Sequence, residues 1–270
     1  MFNLRQLSTS NTLVLSPPKP VTHVLFDFDG LLVGKIVISL GCCLDLLKCC
    51  EVSTDSENYY TKAMENVAKR YGKVFTWELK KKVICSTHEV YTRTIVEELK
   101  LPITPEELFQ QLKKEYAIVF KDIALLPGVR KLLDHFRRTK VPMAIASASG
   151  KFEFQMKIQN LGSDFTSYFS NITLGYDDPE VKESKPAPDV FLVAKDRFPD
   201  KPRQEKCLVF EDSAPGVIAG CRAGMQVVWI PDPKTEVQDF LSQQAELKPT
   251  IVLKSIQDFK PEDFGLPKFL

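Results

Sequence analysis

Two carboxylates stand two residues apart in the segment Asp27-Phe28-Asp29-Gly30, directly after a short apolar run. In an extended strand, the side chains of residues i and i+2 point to the same side of the chain. The side chains of Asp27 and Asp29 are therefore predicted to face one pocket, at the point where a buried strand ends.

A second acidic pair, Glu211-Asp212, follows another apolar run, 207–210. Four acids at one edge of a sheet would repel one another unless a cation lay among them. Magnesium is the natural candidate, because its preferred ligands are hard oxygen atoms. The two acidic pairs therefore predict a Mg²⁺ site.

Two further polar residues fit the same edge. Ser147 follows the apolar run 141–146, and Lys185 stands before a proline. A hydroxyl donor and a fixed positive charge are the groups that would hold a phosphate dianion beside a metal ion. Each of these residues is commonplace alone, and the combination of order, spacing and strand context carries the prediction.

The elements that must position these residues alternate between strands and helices. Between the strands lie helical patterns, of which one at 129–138 has Leu132, Leu133 and Phe136 on one face and another at 217–223 is closed by Gly224. Strand and helix in alternation predict an α/β fold, a sheet with helices on both faces. The strands are predicted from apolar runs that stop at polar residues: 21–26, 141–146, 207–210 and 227–230.

Residues 57–120 differ, because they show helical patterns without strands. Tyr60, Met64, Val67 and Tyr71 recur at helical spacing, and Pro105 opens a second clear helix. This segment is predicted to be a helical insert in the α/β domain, and its aromatic and methionine stripe is interpreted as core packing.

Composition excludes several classes of protein. Of 270 residues, 44% are hydrophobic and 26% are charged, which is typical of an ordinary globular protein. Basic and acidic residues number 36 and 35, so no bulk attraction to nucleic acid or anionic lipid is expected. The longest apolar stretch, 36–47, contains Asp45 and is shorter than the roughly 20 residues of a membrane span. A small-molecule partner and a monomer are expected.

The N-terminal residues 1–20 are predicted to form a flexible tail. Arg5 is the only basic residue before Leu13, so the segment lacks the charged region of a secretory signal. A cytoplasmic location is expected. The acid-free, Ser- and Thr-rich start leaves a mitochondrial presequence as the alternative.

Taken together, the motifs resemble those of the haloacid dehalogenase-like (HAD) phosphatases over residues 21–270. The resemblance implies a Rossmann-like parallel-sheet core (21–33 and 121–270) with a helical cap (55–120) inserted after the first strand. The matching segments are DFDG (27–30), SAS (147–149), KPAPDVF (185–191) and VFEDSAPGV (209–217).

The resemblance also implies roles for the site residues. Asp27 would attack phosphorus to form an aspartyl-phosphate, and Asp29 would protonate the leaving alcohol and later deprotonate water. The cap would close over the site, exclude water and recognise the alcohol. The implied Mg²⁺ ligands are Asp27, the backbone carbonyl of Asp29, Glu211 and Asp212, and the implied phosphate ligands are Ser147, the backbone at Ala148, and Lys185.

Within this superfamily the sequence is most similar to the pseudouridine-5′-phosphatases, notably in PVTHVLFDFDGLL and in the ending SIQDFKPEDFGLPKF. Pseudouridine 5′-phosphate is therefore the favoured substrate. A sugar-phosphate phosphatase or phosphomutase of the same fold is the first alternative, and a catalytically silent paralogue that acts as a binding protein is the second. A true dehalogenase is disfavoured, because Asp29 is present.

The sequence departs from the family pattern at two places. Residues 34–54 form an insertion between the first motif and the start of the cap, and three interpretations remain open: a retained intron, a lineage-specific loop and a regulatory element. In the cap, Cys85-Ser86-Thr87 aligns where the family usually has a glycine and a basic residue. This second departure leaves the substrate alcohol less certain than the reaction type.

Overall fold

A computed structural model describes residues 11–38, 50–53, 57–83, 88–244 and 246–269. The strands within these residues are β1 (Thr12–Val14), β2 (His23–Phe26), β3 (Val33–Ile38), β4 (Cys50–Ser53), β5 (Ile123–Leu125), β6 (Met143–Ser147), β7 (Asn171–Leu174), β8 (Cys207–Glu211), β9 (Gln226–Trp229) and β10 (Ile251–Leu253). The helices are α1 (Glu57–Arg70), α2 (Trp77–Val83), α3 (His88–Leu99), α4 (Pro105–Val119), α5 (Val129–Arg138), α6 (Lys151–Ile158), α7 (Asp189–Asp196), α8 (Ala214–Arg222) and α9 (Val237–Gln243). Short 3₁₀ helices lie at Phe165–Tyr168, Gln204–Lys206, Ile256–Asp258 and Pro261–Phe264.

The main sheet has the strand order β1-β10-β9-β8-β2-β6-β7. All neighbouring strands are parallel except β1, which pairs antiparallel with β10. The α/β fold with a parallel sheet is therefore confirmed. The four predicted apolar runs correspond to β2, β6, β8 and β9, so the carboxyl ends of three neighbouring strands, β6, β2 and β8, lie side by side.

Both faces of this sheet are buried, which explains why its strands read as continuous apolar runs. On β2, Val24 and Phe26 belong to the core on one face, whereas Leu25 belongs to the core on the other. Helix α5 covers the first face with Leu132, Leu133 and Phe136 in that core, as the periodicity predicts.

The prediction of a flexible N-terminal tail fails at Thr12–Val14. Residues Thr12–Val14 pair with Ile251–Leu253 as an edge strand, so the prediction of a flexible segment up to residue 20 is wrong for this part. Residues 1–10 lie outside the described residues. The apolar runs also did not predict β7 and β10, which are short strands of four and three residues.

Part of the 34–54 insertion adds to a second, antiparallel sheet with the order β4-β3-β5. In the register of β3, Gly34 lies opposite Ala124 of β5, and Lys35 lies opposite both Ile123 of β5 and Ser53 of β4. Residues 39–49 and 54–56 of the predicted insertion and cap boundary lie outside the described residues. The described part of the insertion thus continues the strand that leads away from the first motif.

Four helices, α1 to α4, lie between β4 and β5. Helix α4 begins with a capping box: the backbone N–H of Glu107 donates to Thr104 Oγ1 at 3.2 Å, and Thr104 N–H donates to Glu107 Oε2 at 2.8 Å. Met64 and Val67 of α1 are fully buried in the same core as Leu108 of α4 and the first face of the sheet. We call these helices, 57–119, the helical segment.

The C-terminal segment packs at the opposite end of the sheet from the acidic motifs. The backbone N–H of Val21, just before β2, donates to the carbonyl oxygen of Phe264 at 2.9 Å. His135 Nε2 lies 2.7 Å from the carbonyl oxygen of Pro267, and Phe264 is fully buried. In the described part of the chain, no helix is both long and apolar enough to cross a bilayer.

Candidate active site

Asp27 directly follows β2, and its backbone N–H continues the β2–β8 ladder by donating to the carbonyl oxygen of Phe210 at 3.0 Å. The chain then turns sharply. Gly30 has φ +80°, a conformation that favours glycine, and its N–H donates to the carbonyl oxygen of Val33 at 2.9 Å. This turn keeps Asp27 and Asp29 at the carboxyl end of the sheet while the chain leaves along β3.

Lys185 connects the first motif to the last. Its ammonium donates to Asp27 Oδ1 at 2.5 Å and to Glu211 Oε1 at 2.6 Å, and its side chain is 7% exposed. The Lys185 ammonium also lies 4.7 Å from the centre of the Phe191 ring. Burial lowers the pKa of Lys185, but the charges and hydrogen bonds of Asp27 and Glu211 outweigh burial and raise it. Lys185 is therefore a fixed cation at the centre of the site.

Asp27, Glu211 and Asp212 form an acid cluster in which one carboxylate oxygen from each lies within 4.8 Å of the others. Burial, and then the charges of Glu211 and Asp29, raise the pKa of Asp27 to about 7, although Lys185 opposes them. Burial and the charges of Glu211 and Asp27 raise the pKa of Asp212 well above its ordinary value. Crowded, buried carboxylate oxygens are the donor set that a hard divalent cation fits.

Glu211 is fixed from both sides. Its Oε1 accepts a hydrogen bond from the Lys185 ammonium. The other carboxylate oxygen, Oε2, accepts hydrogen bonds from the backbone N–H of Ser213 at 2.9 Å and from the Ser213 hydroxyl at 3.0 Å. Ser213 also begins α8, because its Oγ accepts the N–H of Gly216 at 3.1 Å. A Cβ at Gly216 would lie 1.7 Å from Glu211 Oε1, so only glycine leaves room for this carboxylate.

Asp29 has different partners from Asp27. Its Oδ2 accepts the Ser149 hydroxyl at 2.5 Å, and its Oδ1 accepts the Lys157 ammonium at 2.6 Å. Among the described residues, the acid cluster comprises Asp27, Glu211 and Asp212, and the carboxylate of Asp29 lies outside it. Asp29 is still close enough for its charge to act on Asp27. The backbone carbonyl of Asp29 as a metal ligand stays a prediction.

Tyr60 brings the helical segment into this site. The Lys157 ammonium donates to the Tyr60 hydroxyl at 2.9 Å. Burial, opposed by the charge of Lys157 and assisted by that of Asp29, raises the pKa of Tyr60 to about 12, so the phenol is neutral. The interpretation of the aromatic stripe as core packing holds for Met64 and Val67 and for the Tyr60 ring, which packs against the same core. The Tyr60 hydroxyl has the additional contact with Lys157.

Ser147 is the last residue of β6 and is almost completely buried. Its Oγ accepts the backbone N–H of Ser149 at 3.1 Å, and a hydroxyl that accepts a hydrogen bond can still donate its own hydrogen. Ala148, the next residue, is exposed. Ser147 ends and Ala148 follows the strand β6, which lies beside β2 on the side opposite to β8.

The structure thus brings four predicted site residues together, as the sequence motifs predict: Asp27, Lys185, Glu211 and Asp212. The residues that sequence reasoning did not assign are Ser149, Lys157, Tyr60 and Ser213. A signal for Lys157 exists in the sequence, because it stands three residues after the buried Phe154 and so lies on the apolar face of α6. A lysine on the buried side of a helix needs a partner, and here that partner is Asp29.

The family model described as haloacid dehalogenase-like hydrolase matches residues 24–230 of this chain. A curated relative from Drosophila melanogaster, named "Probable pseudouridine-5'-phosphatase", is 39% identical over 93% of this chain and 96% of its own length. This chain belongs to the haloacid dehalogenase-like hydrolase family, and the prediction of a phosphatase of that family is confirmed.

Two further similarities concern a curated relative and a solved structure. The Arabidopsis thaliana protein named (DL)-glycerol-3-phosphatase 2 is 35% identical over 92% of this chain and 93% of its own length. The crystal structure of CbbY from Rhodobacter sphaeroides in complex with phosphate superposes with a TM-score of 0.63 at 18% identity, covering 88% of this chain and 96% of that one. The second likeness supports the fold alone.

Proposed function

We propose that this phosphatase hydrolyses small phosphomonoesters through an aspartyl-phosphate on Asp27, with pseudouridine 5′-phosphate as the favoured substrate. The observation that carries the proposal is the separate environment of the two aspartates. Asp27 lies against Lys185 in the acid cluster, whereas Asp29 is held by Ser149 and Lys157. Two carboxylates in different surroundings suit two roles, nucleophile and acid–base.

In the first step, a carboxylate oxygen of Asp27 attacks phosphorus as the bond from phosphorus to the alcohol oxygen breaks. Asp29 transfers its proton to that departing oxygen. In the second step, Asp29 removes a proton from water, the water oxygen attacks phosphorus, and the bond between Asp27 and phosphorus breaks. Inorganic phosphate leaves, and both carboxyl groups return to their starting protonation states.

The groups proposed to hold the phosphoryl oxygens are Ser147, the backbone at Ala148, and Lys185. Asp27, the backbone carbonyl of Asp29, Glu211 and Asp212 are proposed to hold Mg²⁺. The bound ion would neutralise charge on the phosphoryl group. The close oxygens of the acid cluster support this assignment. Because both oxygens of Glu211 accept hydrogen bonds, Asp27 and Asp212 are proposed as the principal carboxylate ligands.

The helical segment is proposed to act as the cap over this site, within the predicted cap boundaries of 55–120, with 21–33 and 121–270 as the core. Contacts between the two parts support this role. The ring of Phe109 in α4 lies 6.3 Å from that of Phe152 in α6, with the Lys113 ammonium over both rings, and Tyr60 reaches Lys157. The predicted substrate-facing residues 85–87 lie outside the described residues.

Pseudouridine 5′-phosphate is favoured because the relative bearing that name is 39% identical over nearly the whole chain. A polyol- or sugar-phosphate phosphatase is the second candidate, supported by the 35% identity to the protein named as a glycerol-3-phosphatase. The monomeric state and the cytoplasmic location stay predictions.

The test compares kcat/KM for pseudouridine 5′-phosphate and glycerol 3-phosphate at saturating Mg²⁺, in wild type and in Asp27→Asn. Asp27→Asn should abolish turnover and the acid-stable phospho-enzyme, since an amide is not a carboxylate nucleophile. Asp263→Asn, an exposed aspartate in the C-terminal segment, is the matched control. A folded Asp27→Asn that loses only a few-fold in kcat contradicts the mechanism, and a higher kcat/KM for glycerol 3-phosphate contradicts the substrate assignment.

A further inference from the structure

Lys157 is a buried ammonium at the boundary between the core and the helical segment. Its side chain is 0% exposed. An ammonium has three N–H donors, and three oxygen atoms surround this one: Asp29 Oδ1 at 2.6 Å, the Tyr60 hydroxyl at 2.9 Å and Ser149 Oγ at 3.4 Å. All three donors therefore have an acceptor, which is what a buried charge requires.

The same contacts immobilise the carboxyl group of Asp29. Lys157 holds one oxygen, and Ser149 donates to the other at 2.5 Å. Ser149 itself is tied to Lys157 at 3.4 Å, so the three side chains form a closed ring of contacts. A carboxyl group held at both oxygens has a defined orientation, and a misplacement of about 1 Å in a reacting group can cost about 10²-fold in rate.

One member of this arrangement comes from the helical segment. Tyr60 lies in α1, and its ring lies 5.0 Å from the Lys157 ammonium. Its hydroxyl oxygen accepts a hydrogen bond from that ammonium. The Phe120 ring lies 5.1 Å from the same ammonium. Tyr60 therefore completes the surroundings of Lys157 from the helical segment, and Phe120 does so from the residue that follows it.

We propose that Lys157 is a positioning residue that orients Asp29 for proton transfer, and that Tyr60 makes this orientation depend on closure of the helical segment. The proposal rests on the acid–base role of Asp29 in the proposed function. Lys157 acts through Asp29 and does not itself contact the reacting atoms.

The experiment exploits leaving-group chemistry. Pseudouridine 5′-phosphate and glycerol 3-phosphate release alkyl alcohols that must be protonated, whereas p-nitrophenyl phosphate releases a phenolate that needs no proton. Lys157→Met should lower the first-turnover rate of alcohol release, measured by rapid quench, by about 10²-fold on the two alkyl phosphates and by less than about tenfold on p-nitrophenyl phosphate, because only alkyl leaving groups use the oriented acid. The first turnover leaves out hydrolysis of the aspartyl-phosphate, in which Asp29 acts as the base for every substrate. KM should change little for all three.

Lys195→Met is the matched control. Lys195 is also a buried lysine, but it lies on α7 and pairs with Asp196, away from Asp29. Lys195→Met should leave the ratio between the rates on alkyl phosphates and on p-nitrophenyl phosphate at the wild-type value. Equal losses on both kinds of substrate in Lys157→Met would overturn the proposal, and so would an effect confined to KM, which would make Lys157 a substrate contact.

A double-mutant comparison tests whether Lys157 works through Asp29. If it does, Lys157→Met should cause no further loss of kcat on the alkyl phosphates in an Asp29→Asn background, because there is no acid left to orient. Multiplicative losses would overturn the proposal.

Tyr60→Phe keeps the ion pair and removes one acceptor, so it provides a milder variant if Lys157→Met does not fold. It should show the same selective loss, about three- to tenfold, on alkyl phosphates only. Equal losses on both substrates would contradict the role of Tyr60. Wild-type turnover tests the proposed function, whereas the ratio between substrates tests Lys157, so the two can fail separately.

Discussion

Replacing Lys185 with methionine tests the charge arrangement at the acid cluster. The ammonium lies 2.5 Å from Asp27 Oδ1 and 2.6 Å from Glu211 Oε1. Methionine keeps the apolar stem but leaves these buried carboxylates without a counter-charge. Breaking one buried pair in this way costs about 3–5 kcal/mol. Because Lys185 contacts two carboxylates, we expect a loss of about 5 kcal/mol in the free energy of unfolding at neutral pH without divalent metal.

The assay is urea unfolding followed by circular dichroism in EDTA and again in excess Mg²⁺. Lys182→Met is the control, because Lys182 is exposed and its ammonium donates only to the carbonyl oxygen of Pro179 at 2.6 Å in the described contacts. A surface change of this kind alters stability by less than about 0.5 kcal/mol. Mg²⁺ should restore part of the loss in Lys185→Met, because a bound cation replaces the missing positive charge.

Two outcomes would refute this reasoning. The first is a decrease of less than about 1 kcal/mol in the free energy of unfolding of Lys185→Met in EDTA, which is the contribution of an exposed ion pair. It would mean that Lys185 does not compensate buried charge. The absence of any Mg²⁺-dependent stabilisation in both wild type and Lys185→Met would mean that the acid cluster does not bind the metal.

Two further predictions concern groups around and outside the site. Gly216→Ala should cost about 1–3 kcal/mol of stability and weaken Mg²⁺ binding measured by calorimetry, because its Cβ would displace Glu211. Gly220→Ala, on the same helix but against Val227, should lower stability without changing Mg²⁺ affinity, and equal Mg²⁺ affinities in the two variants would contradict the prediction. Burial lowers the pKa of His23 from 6.5, against the opposing charge of Asp200, so the unfolded chain binds the proton more readily. Stability should therefore fall as the pH drops below about 6.5, by up to about 1.4 kcal/mol per pH unit, and His23→Gln should remove this loss in urea titrations; an unchanged pH dependence would count against it.

The main elements were predictable because their signals are local. The helix at Val129–Arg138 has its observed bounds, since its apolar residues recur at the helical period and one face packs on the sheet. The strands β2, β6, β8 and β9 follow from apolar runs that are buried on both faces. The short strands Thr12–Val14 and Ile251–Leu253 were missed, because three residues carry too little pattern and their strand structure comes from pairing with each other.

The C-terminal ending shows a limit of inferring substrate preference from sequence similarity. It supported the likeness to the pseudouridine-5′-phosphatases, but Phe264 and Leu266 lie in the core, near the amino end of β2. Its sequence is therefore constrained by packing against Val21 and α5, and it makes no contact with the acid cluster in the described structure. The likeness that it carries is evidence of common descent and not of substrate preference.

The sequence by itself determined the α/β class and the residues Asp27, Lys185, Glu211 and Asp212. It could do so because parallel strands bring their carboxyl ends to one edge, so that polar residues after separate strands must meet there. Only the tertiary structure decided that Asp29 is held apart from the acid cluster, and that Lys157 and Tyr60 belong to the site. These contacts join α6 to a helix about a hundred positions away in the chain, and the partners of a buried charge depend on which surfaces are packed together, which local sequence patterns do not encode.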